Sequence, residues 1–381
     1  MISVIVPVYY GEKYIAGIIR QIEAGKEQLK DKQEIELLFV NDSPDAPLSL
    51  QWKSEILDVI IINSDRNAGI HGARVKGLLE CHGEYVMFLD QGDRIEPAYF
   101  DSQLRAMGNG DAVICKAIDG GKEVYRDDTI FRQIVSKEFV LKMWNMIISP
   151  GQVLMRRDSI PDMWTGNIMQ RNGADDWFLW ICMMAENCKF SLNTDLLYEH
   201  VLQDSNTSED IVGMVQSEQE VLRIVGEKGI LSHDDRGLLR DGFFRKNLRR
   251  TKELCNKKKK LELLERWIGL KERGLHISNY FLQRGVQTIA IYGCGIIGEF
   301  VNQELKKELN VKYFIDRNAD RMQKQIPVYT LQDSLPEVDG IMITLVEGVE
   351  KAEEEIRNKM RTQIFILKDC VIDLERKIYS V

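Results

Sequence analysis

Short apolar runs alternate with helical patterns along the first half of this chain. Four such runs are rich in Val and Ile: 2–9, 35–40, 59–62 and one that ends at Leu89. Helical spacing of apolar residues follows at 12–24 and 71–81, and a further strand is predicted at 111–117. Strands that alternate with helices predict an α/β fold, in which a mainly parallel sheet is covered by helices on both faces.

All four runs end in polar residues. The second leads into Asn41-Asp42-Ser43, and the fourth leads into Asp90-Gln91-Gly92-Asp93. Because parallel strands deliver their carboxyl ends to one edge of a sheet, we expect these polar turns to face one ligand crevice. Two carboxylates at a strand end suit a divalent cation, which at such sites is commonly bridged to a diphosphate.

The pattern changes twice farther along the chain. From residue 209 the β-branched runs give way to charged segments with Leu, Trp and Phe at helical spacing, which predicts a helical connector. Strands are then predicted at 288–292, 311–315, 340–345 and 363–367, with a helix at 299–309. The chain is therefore predicted to comprise a first α/β domain (1–208), the connector (209–284) and a small C-terminal Rossmann-like α/β domain (285–381).

The C-terminal region opens with a glycine-rich turn that contains Gly293, Gly295 and Gly298. The turn follows a predicted strand and precedes a predicted helix, and Asp316 closes the next strand. That order is typical of a dinucleotide site, with the diphosphate at the helix N-terminus and the acid on a ribose. The glycines would equally serve close packing of helix on strand, so NAD or another second nucleotide is one of two interpretations.

Composition and charge limit the function classes. At 381 residues the chain exceeds the usual size of one core, and 44% hydrophobic residues suffice for globular packing. The net charge of −8 argues against general nucleic-acid binding. The seven cysteines are scattered without a metal-type pair, which favours reduced thiols in a cytoplasmic protein. We expect no signal peptide, because the first strand begins at Ile2, and no apolar stretch long enough to span a bilayer.

Six motifs, in a fixed order, carry a resemblance to a known family. They are Val4-Ile5-Val6-Pro7-Val8-Tyr9, Val40-Asn41-Asp42-Ser43, Asn67-x-Gly69 with Ala73-Arg74, Asp90 to Asp93, Asp175-Asp176-Trp177, and Tyr198-x-His200. Through them the chain, up to about residue 210, resembles the family 2 glycosyltransferases of the GT-A fold. The resemblance implies transfer of a sugar from a nucleotide diphosphate donor to an acceptor hydroxyl.

The resemblance also implies that Asp176 is the general base, with Asp175 beside it. In the family the base is the second acid of an acid pair that opens a helix. Sugar transfer with inversion needs such a base to take the acceptor proton. The residues alone leave another explanation open, since acids at a helix start also favour the helix dipole and cap free amides.

Asp90, Asp93 and His200 are the candidate ligands of a Mn²⁺ or Mg²⁺ ion bound with the donor diphosphate. Many relatives have an acid at the position of Gly92, the usual metal ligand, and glycine offers only its backbone. Either Asp93 and His200 complete the ligand set or the metal is weakly held. His200 is alternatively a histidine that packs under a loop.

The donor nucleotide is expected to lie against residues in and near the first four motifs: Pro7, Tyr9, Glu12, Asp42, Asn67, Arg74 and Asp90. A tyrosine ring supplies a stacking or edge contact, and the Asp42 carboxylate accepts a base N–H, which favours uracil or guanine, and UDP as the donor nucleotide. Alternatively, Pro7 and Tyr9 mark an ordinary turn and Arg74 lies on a solvated helix face. Relatives usually carry Asn at the Tyr10 position, so the turn there can differ.

A basic block at residues 245–260 contrasts with the otherwise acidic chain. It would hold the protein on an anionic membrane surface, where a lipid-diphosphate acceptor is available, or form a solvated helix face. Trp144, Trp164 and Trp177 would form a sugar-stacking wall or, as scattered tryptophans commonly do, pack in the core.

These expectations combine into a cytoplasmic, inverting, non-processive glycosyltransferase of surface-polysaccharide synthesis. Its partners would be a nucleotide-sugar donor and a glycan or lipid-linked acceptor, with peripheral contact to the inner face of the plasma membrane. Two alternatives remain open. One is NAD-dependent modification of a nucleotide sugar by the C-terminal domain, and the other is a degenerate transferase domain that only binds, for which Gly92 is the main argument.

Overall fold

The structure is a computed structural model. It describes residues 1–30, 33–49, 51–125, 127–142, 145–202, 210–319 and 324–379. The chain divides into two compact units, Met1–Asn247 and Leu248–Val381. Trp144 and the predicted boundary at residue 208 lie outside the described residues, and the three-part division stays a prediction.

The strands of the first unit form one mixed sheet. They are β1 (Ile2–Val8), β2 (Ile35–Asn41), β3 (Asp58–Asn63), β4 (Tyr85–Phe88), β5 (Arg94–Ile95), β6 (Ala112–Asp119), β7 (Lys122–Glu123), β8 (Val153–Arg156) and β9 (Phe190–His200). Their order is β3-β2-β1-β4-β8-β6-β9-β5, with β7 beside β6. Strands β1 to β4 run parallel, as do β6 and β9, whereas β8 is antiparallel to both of its neighbours. The predicted, mainly parallel α/β sheet is confirmed.

The helices of this unit follow the strands along the chain. They are α1 (Glu12–Gln28), α2 (Gly69–Glu80), α3 (Tyr99–Met107), α4 (Asp128–Gln133), α5 (Lys137–Leu141), α6 (Asp162–Thr165), α7 (Asp175–Ala185) and α8 (Ile211–Lys228). Helix α9 (His233–Glu272) begins in this unit and continues past its boundary.

Strand and helix formation follow from the apolar pattern. Every residue of β1 and β2 is buried, which matches the continuous apolar runs of parallel strands that are covered on both faces. Helix α1 buries Ile15, Ile18 and Ile22, whose spacing places them on one face of the helix. Burial of each such side chain contributes roughly 1.5–3 kcal/mol of transfer free energy.

The topology of the sheet creates one ligand edge. Strand β1 lies between β2 and β4, so the chain order reverses between β1 and β4. In open parallel sheets, ligands bind at the carboxyl edge beside such a reversal. Strands β6 and β9 run in the same direction as β1, so the last residue of β9, His200, reaches this edge as well.

The second unit contains a parallel sheet with the same kind of reversal. Its elements are α10 (Ile277–Leu282), β10 (Thr288–Tyr292), α11 (Ile296–Leu305), β11 (Asn310–Ile315), β12 (Val328–Tyr329), β13 (Gly340–Ile343), α12 (Val349–Lys359), β14 (Gln363–Ile366) and α13 (Leu367–Tyr379). The strand order is β12-β11-β10-β13-β14, and the reversal lies between β10 and β13. Helix α11 begins at Ile296 rather than at the predicted Glu299, because the turn closes already at its N-cap residue, Gly295.

Among the helices that the structure describes, each is too short or too polar to cross a lipid bilayer.

Candidate active site

A cavity of about 470 Å³ opens at the carboxyl edge of the first sheet. All but one of the predicted donor, catalytic and metal residues line it: Pro7, Tyr9, Asp42, Asn67, Arg74, Asp90, Asp93, Asp175, Asp176 and His200. The exception is Glu12, which opens α1 and is absent from the cavity lining. The structure thus brings residues from six separate motifs together, and their chemical roles stay predictions.

A buried arginine organises the cavity floor. Arg74 on α2 is 2% exposed, and its Nη1 and Nη2 atoms lie 2.5 Å from Asp175 Oδ2 and 2.5 Å from Asp90 Oδ1. The Ser149 hydroxyl donates to the other Asp90 oxygen at 3.1 Å. Burial alone would lower the pKa of Arg74, but the charges of Asp175 and Asp90 outweigh it and raise that pKa. The solvated-face interpretation of Arg74 is therefore wrong.

The two acids that open α7 have different surroundings. Asp175 is 2% exposed and paired with Arg74, whereas Asp176 is only partly buried. Asp176 accepts hydrogen bonds from the Trp177 amide at 2.6 Å and from the Asn145 side chain at 3.3 Å. Neither acid is the N-cap residue, a position that Ala174 holds without a side-chain cap bond.

The pKa of Asp176 suits a general base. Burial, and then the charge of Asp175, raise the pKa of Asp176 to about 7, although Arg74 acts in the opposite direction. Among the described residues, no Lys or Arg lies within ion-pair distance of Asp176. A carboxylate with a pKa near neutrality both accepts a proton well and is substantially ionised at neutral pH. The two acids therefore differ in their partners: Asp175 is held in an ion pair with Arg74, whereas Asp176 lines the cavity without a basic partner among the described residues.

The predicted metal ligands do not form a cluster. Asp93 is 4% exposed, and its two oxygens accept from the Tyr198 hydroxyl and, at 3.0 Å, from the Val201 amide. Burial, and then Asp90, raise the pKa of Asp93 to about 7. The ring Nδ1 of His200 lies 2.8 Å from Asp119 Oδ1. Within the described part of the chain no three His, Cys, Asp or Glu side chains converge as metal ligands would, so these residues do not fit a preformed cation site.

The glycine at position 92 is one reason why the predicted ligands do not form a cation site. Its φ of +94° is a conformation that residues with a side chain rarely adopt, so a carboxylate at this position would need a different turn. Of the two predicted carboxylate ligands, Asp90 has the more exposed side chain, at 29%, whereas Asp93 is 4% exposed.

We expect Mn²⁺ or Mg²⁺ to bind measurably only together with a nucleoside diphosphate. The cavity is lined by carboxylates that Arg74 only partly neutralises, so a diphosphate needs further positive charge, and its oxygens would complete the sparse shell of the ion. Calorimetric titration of Mn²⁺ into the free protein and into the UDP-saturated protein measures the difference. Tight binding of Mn²⁺ to the nucleotide-free protein would contradict this expectation.

Tyr9 lines the cavity, and Tyr10 packs against its ring. Tyr9 is 53% exposed, and the Gln91 side chain bonds to its amide at 3.0 Å and to its carbonyl at 3.1 Å. Tyr10 packs edge to face against Tyr9 and has a left-handed φ of +45°, held by a 2.8 Å bond from its amide to the Ser43 hydroxyl. Asn adopts a left-handed φ more readily than Tyr does. The backbone of this turn is therefore the one expected for the Asn that relatives usually carry at this position. The Asp42 carboxylate accepts from the Ala68 amide at 2.7 Å and faces the cavity.

Two tryptophans of the expected sugar-stacking wall belong to the core. Trp164 is fully buried and Trp177 is 3% exposed. Their indole N–H groups donate to the Asp175 and Val140 carbonyls, both at 2.9 Å. The core interpretation is therefore correct for both.

Sequence reasoning missed several polar side chains: Gln91, Ser149 and Asn172 line the cavity, whereas Ser43 and Asn145 contact residues in its lining or next to it. Gln91 and Ser43 lie inside motifs that were recognised, so their positions were available. Asn145 and Ser149 come from a segment without a motif and are placed by the fold alone. Asn172, which lines the cavity and accepts from the Ile70 amide at 3.1 Å, is another such residue.

Comparison with known proteins adds a family to this geometry. The family model described as glycosyl transferase family 2 matches residues 3–178. EpsH of Bacillus subtilis (strain 168), named as a glycosyltransferase, is 30% identical over 178 residues, which is 42% of this chain and 50% of that protein. An undecaprenyl-phosphate 4-deoxy-4-formamido-L-arabinose transferase of Pseudomonas fluorescens is 33% identical over 91 residues, which is 23% of this chain and 27% of that protein. The chain thus spans half or less of the length of these relatives.

The similarities to solved structures are weaker than these sequence matches. The S. aureus TarS fragment 1–349 in complex with UDP-GlcNAc has a TM-score of 0.45 and 16% identity, over 62% of this chain and 70% of that chain. The mannosyltransferase PcManGT from Pyrobaculum calidifontis in complex with GDP-Man and Mn²⁺ has a TM-score of 0.45 and 12% identity, over 64% and 69%. Family membership therefore rests on the sequence match and the ordered motifs. On these grounds, residues 3–178 of this chain belong to glycosyl transferase family 2.

Proposed function

We propose that this protein is an inverting, non-processive glycosyltransferase. It moves a sugar from a nucleoside-diphosphate sugar, with UDP favoured, to a hydroxyl of a glycan or lipid-linked acceptor. One observation carries the proposal: Asp176 faces the cavity with a pKa of about 7, beside two carboxylates that a buried arginine holds in place.

In the proposed reaction, the ionised Asp176 carboxylate takes the proton of the acceptor hydroxyl. The acceptor oxygen bonds to the anomeric carbon as the bond from that carbon to the diphosphate breaks, and the electron pair leaves with the nucleoside diphosphate. Attack on the face opposite the leaving group inverts the configuration of that carbon. The bond from Asn145 to one Asp176 oxygen orients the carboxylate and leaves lone pairs available for the proton.

Arg74 has a positioning role in this proposal. Its two ion pairs fix Asp90 at the end of β4 and Asp175 at the start of α7. Because Asp90 belongs to the proposed donor site and Asp175 directly precedes Asp176 in the sequence, the arginine sets the distance between the donor site and the base. A charge-assisted, two-sided contact of this kind is geometrically specific.

We expect UDP or GDP to raise the melting temperature of the full chain. A ligand that binds only the native state at a concentration of 100 times its Kd adds about 2.7 kcal/mol to the free energy of unfolding. Asp90→Ala should abolish the nucleotide-induced shift in the unfolding of the first unit, whereas Glu12→Ala, a change outside the cavity lining, should keep it. A thermal-shift series with UDP, GDP, CMP and NAD measures the effect. Failure of every nucleotide to shift the wild type would favour the degenerate binding domain.

We expect the rate of transfer to rise with pH up to about 7 and then level off. Asp176 must be ionised to accept a proton, and burial and the charge of Asp175 raise its pKa to about 7. The logarithm of kcat/KM should therefore climb by about one unit per pH unit below that pKa and reach a plateau above it. The residual activity of Asp176→Asn should not show this rise of kcat/KM with pH. A wild-type profile that is flat between pH 5 and 8 would remove Asp176 from the role of base.

The membrane side of the proposal has two supports. A relative is named for an undecaprenyl-phosphate acceptor, and the block 245–260 carries clustered Lys and Arg. Such segments attract anionic lipid by about 1 kcal/mol per basic residue near the surface. This would place the protein at the cytoplasmic face of the plasma membrane. Co-sedimentation with phosphatidylglycerol vesicles tests it, and no binding at low salt would contradict it.

A further inference from the structure

Two cavities lie at the carboxyl edge of the second sheet, with volumes of about 750 Å³ and about 240 Å³. They share the lining residues Leu345, Val346 and Glu347, which follow β13. The smaller cavity is also lined by the glycine-rich turn after β10. It therefore lies at the reversal between β10 and β13, where parallel sheets bind ligands.

One face of helix α9 closes both cavities. Lys252, Asn256, Lys259, Lys260 and Leu263 line one or the other, and their spacing of three or four residues places them on the same side of the helix. Part of the basic block thus faces a cavity within the second unit rather than only solvent. Among the described residues, Lys259 and Lys260 have no carboxylate within ion-pair distance.

Two glycines of the turn, Gly298 and Gly295, differ in whether the fold itself requires a glycine. A Cβ at Gly298 would lie 2.0 Å from the Gly293 carbonyl oxygen, so that position is explained by helix packing. At Gly295 a Cβ would meet nothing within 4 Å, and its φ of −80° suits any residue. The fold itself does not require glycine at position 295. A ligand that approaches the backbone closely would require it.

Unpaired polar atoms point to the same place. Gly295 is the N-cap residue of α11 and makes no side-chain cap bond, so the amides of the first helical turn are open to a ligand. The Asn256 Oδ1 atom is buried, lines the smaller cavity through its residue, and has no hydrogen-bond partner among the described residues. Buried polar atoms usually have a partner, so a donor from a ligand is expected here.

We propose that the second unit binds a nucleoside diphosphate, with its diphosphate on the glycine turn and its nucleoside extending into the larger cavity. The amides at the start of α11 and the Lys260 ammonium supply positive charge to the phosphates. Asn256 accepts a hydrogen bond from the ligand. The larger cavity has the volume that small-molecule sites commonly have.

Asp316 distinguishes this site from the expected dinucleotide site. Its oxygens accept from the Cys294 amide at 2.9 Å and from the Asn318 amide at 3.0 Å, and it lines a separate cavity of about 520 Å³ and neither of these two. It therefore holds the turn in shape and faces a different cavity, so a nucleotide in the two cavities described above would not meet its carboxylate. This placement favours a mononucleotide over NAD.

The decisive variant is Gly295→Asp in the full chain. Asp is a favourable N-cap residue, so the variant should fold with an unchanged or slightly higher Tm. Its carboxylate would lie where the diphosphate binds, and we expect affinity to fall at least tenfold. Lys260→Gln should weaken binding several-fold and reduce its salt dependence. Lys257→Gln, a matched change in the same basic run but outside the cavity lining, should leave affinity unchanged.

Binding is measured by calorimetry with UDP, ADP, NAD and pyrophosphate, in a background that carries Asp90→Ala to remove the site of the first unit. UDP or ADP binding that follows this variant pattern supports the proposal. NAD binding more tightly than ADP, equal losses for Lys257→Gln and Lys260→Gln, binding of pyrophosphate as tightly as of the nucleotides, or no binding at all would each overturn it. The proposal is independent of sugar transfer, so either can fail alone.

Discussion

We expect Asp176→Asn to lower the turnover of sugar transfer by at least about a hundredfold while donor affinity is kept, as is typical of a lost general base. Asparagine keeps the shape of the side chain, and its oxygen can still accept from the Trp177 amide, so the cavity is preserved. It cannot take the acceptor proton. Single-turnover transfer rates, together with UDP titration of the variant, separate the chemical step from donor binding.

The same substitution should not destabilise the protein, and this makes the test specific. Burial raises the pKa of Asp176 in the folded state to about 7, above its value in the unfolded chain. The folded state therefore binds the proton more tightly, and the contribution of this group to stability is lost as pH rises through 7. The melting temperature of Asp176→Asn should exceed that of the wild type at pH 8, and the two should converge toward pH 4. A lower melting temperature at pH 8 would show that the ionised carboxylate has a structural partner.

Asp175→Asn is the matched control, and its expected defect differs in kind. Asp175 is buried against Arg74, so its loss leaves the arginine with one carboxylate and weakens folding. At equal concentrations of folded protein, its turnover should exceed that of Asp176→Asn. If the order is reversed, the base is Asp175 and the assignment within the pair is wrong.

Most of the sheet could be predicted because its strands are long apolar runs. β1 and β2 are buried along their whole length, and the pattern of such strands is continuous. Strand β10 occupies the predicted residues, Thr288–Tyr292. The clustering of the motif residues followed from the same topology, since parallel strands end at one edge.

Burial and pairing of the polar residues could not be predicted. Arg74 lies on a helix whose sequence does not separate a polar from an apolar face, and its partner Asp175 is 101 positions away. Only the packing of α2 on β1 and β2, together with the arrival of Asp90 and Asp175 at the same place, decides that the arginine is buried. Glu12 is the opposite case: it is close to Tyr9 in the sequence, yet it does not line the cavity.

We expect Arg74→Met to destabilise the first unit by about 3–5 kcal/mol, the range for breaking a buried ion pair by removing one partner. The variant leaves Asp175, which is 2% exposed, and Asp90 without their cation. Removing an exposed partner would cost at most about 1 kcal/mol. For a unit of this size the melting temperature should fall by roughly 10 °C.

The pH dependence of this loss identifies its cause. In the variant, an unpaired buried carboxyl has a folded-state pKa above its unfolded value, so the folded protein gains stability by taking up a proton. The deficit of Arg74→Met should therefore be largest above pH 7 and should shrink as pH falls toward the unfolded value near 4. Denaturant unfolding at pH 5 and pH 8 gives the two free energies. An equal deficit at both pH values would indicate lost packing of the arginine stem instead of unpaired charge.

A second substitution separates the charge from its geometry. The double variant Arg74→Met with Asp175→Asn removes the arginine and the more deeply buried of its two partners. We therefore expect it to recover a large part of the lost free energy of unfolding without restoring transfer.

The variant Arg74→Lys keeps the positive charge, but a single ammonium cannot reproduce the two separate guanidinium hydrogen bonds to Asp90 and Asp175. Arg74→Lys should be more stable than Arg74→Met. It should transfer sugar more slowly than the wild type, because the distance between the donor site and Asp176 depends on both ion pairs of Arg74. If Arg74→Lys matches the wild type in both respects, the cavity needs only a positive charge at this position.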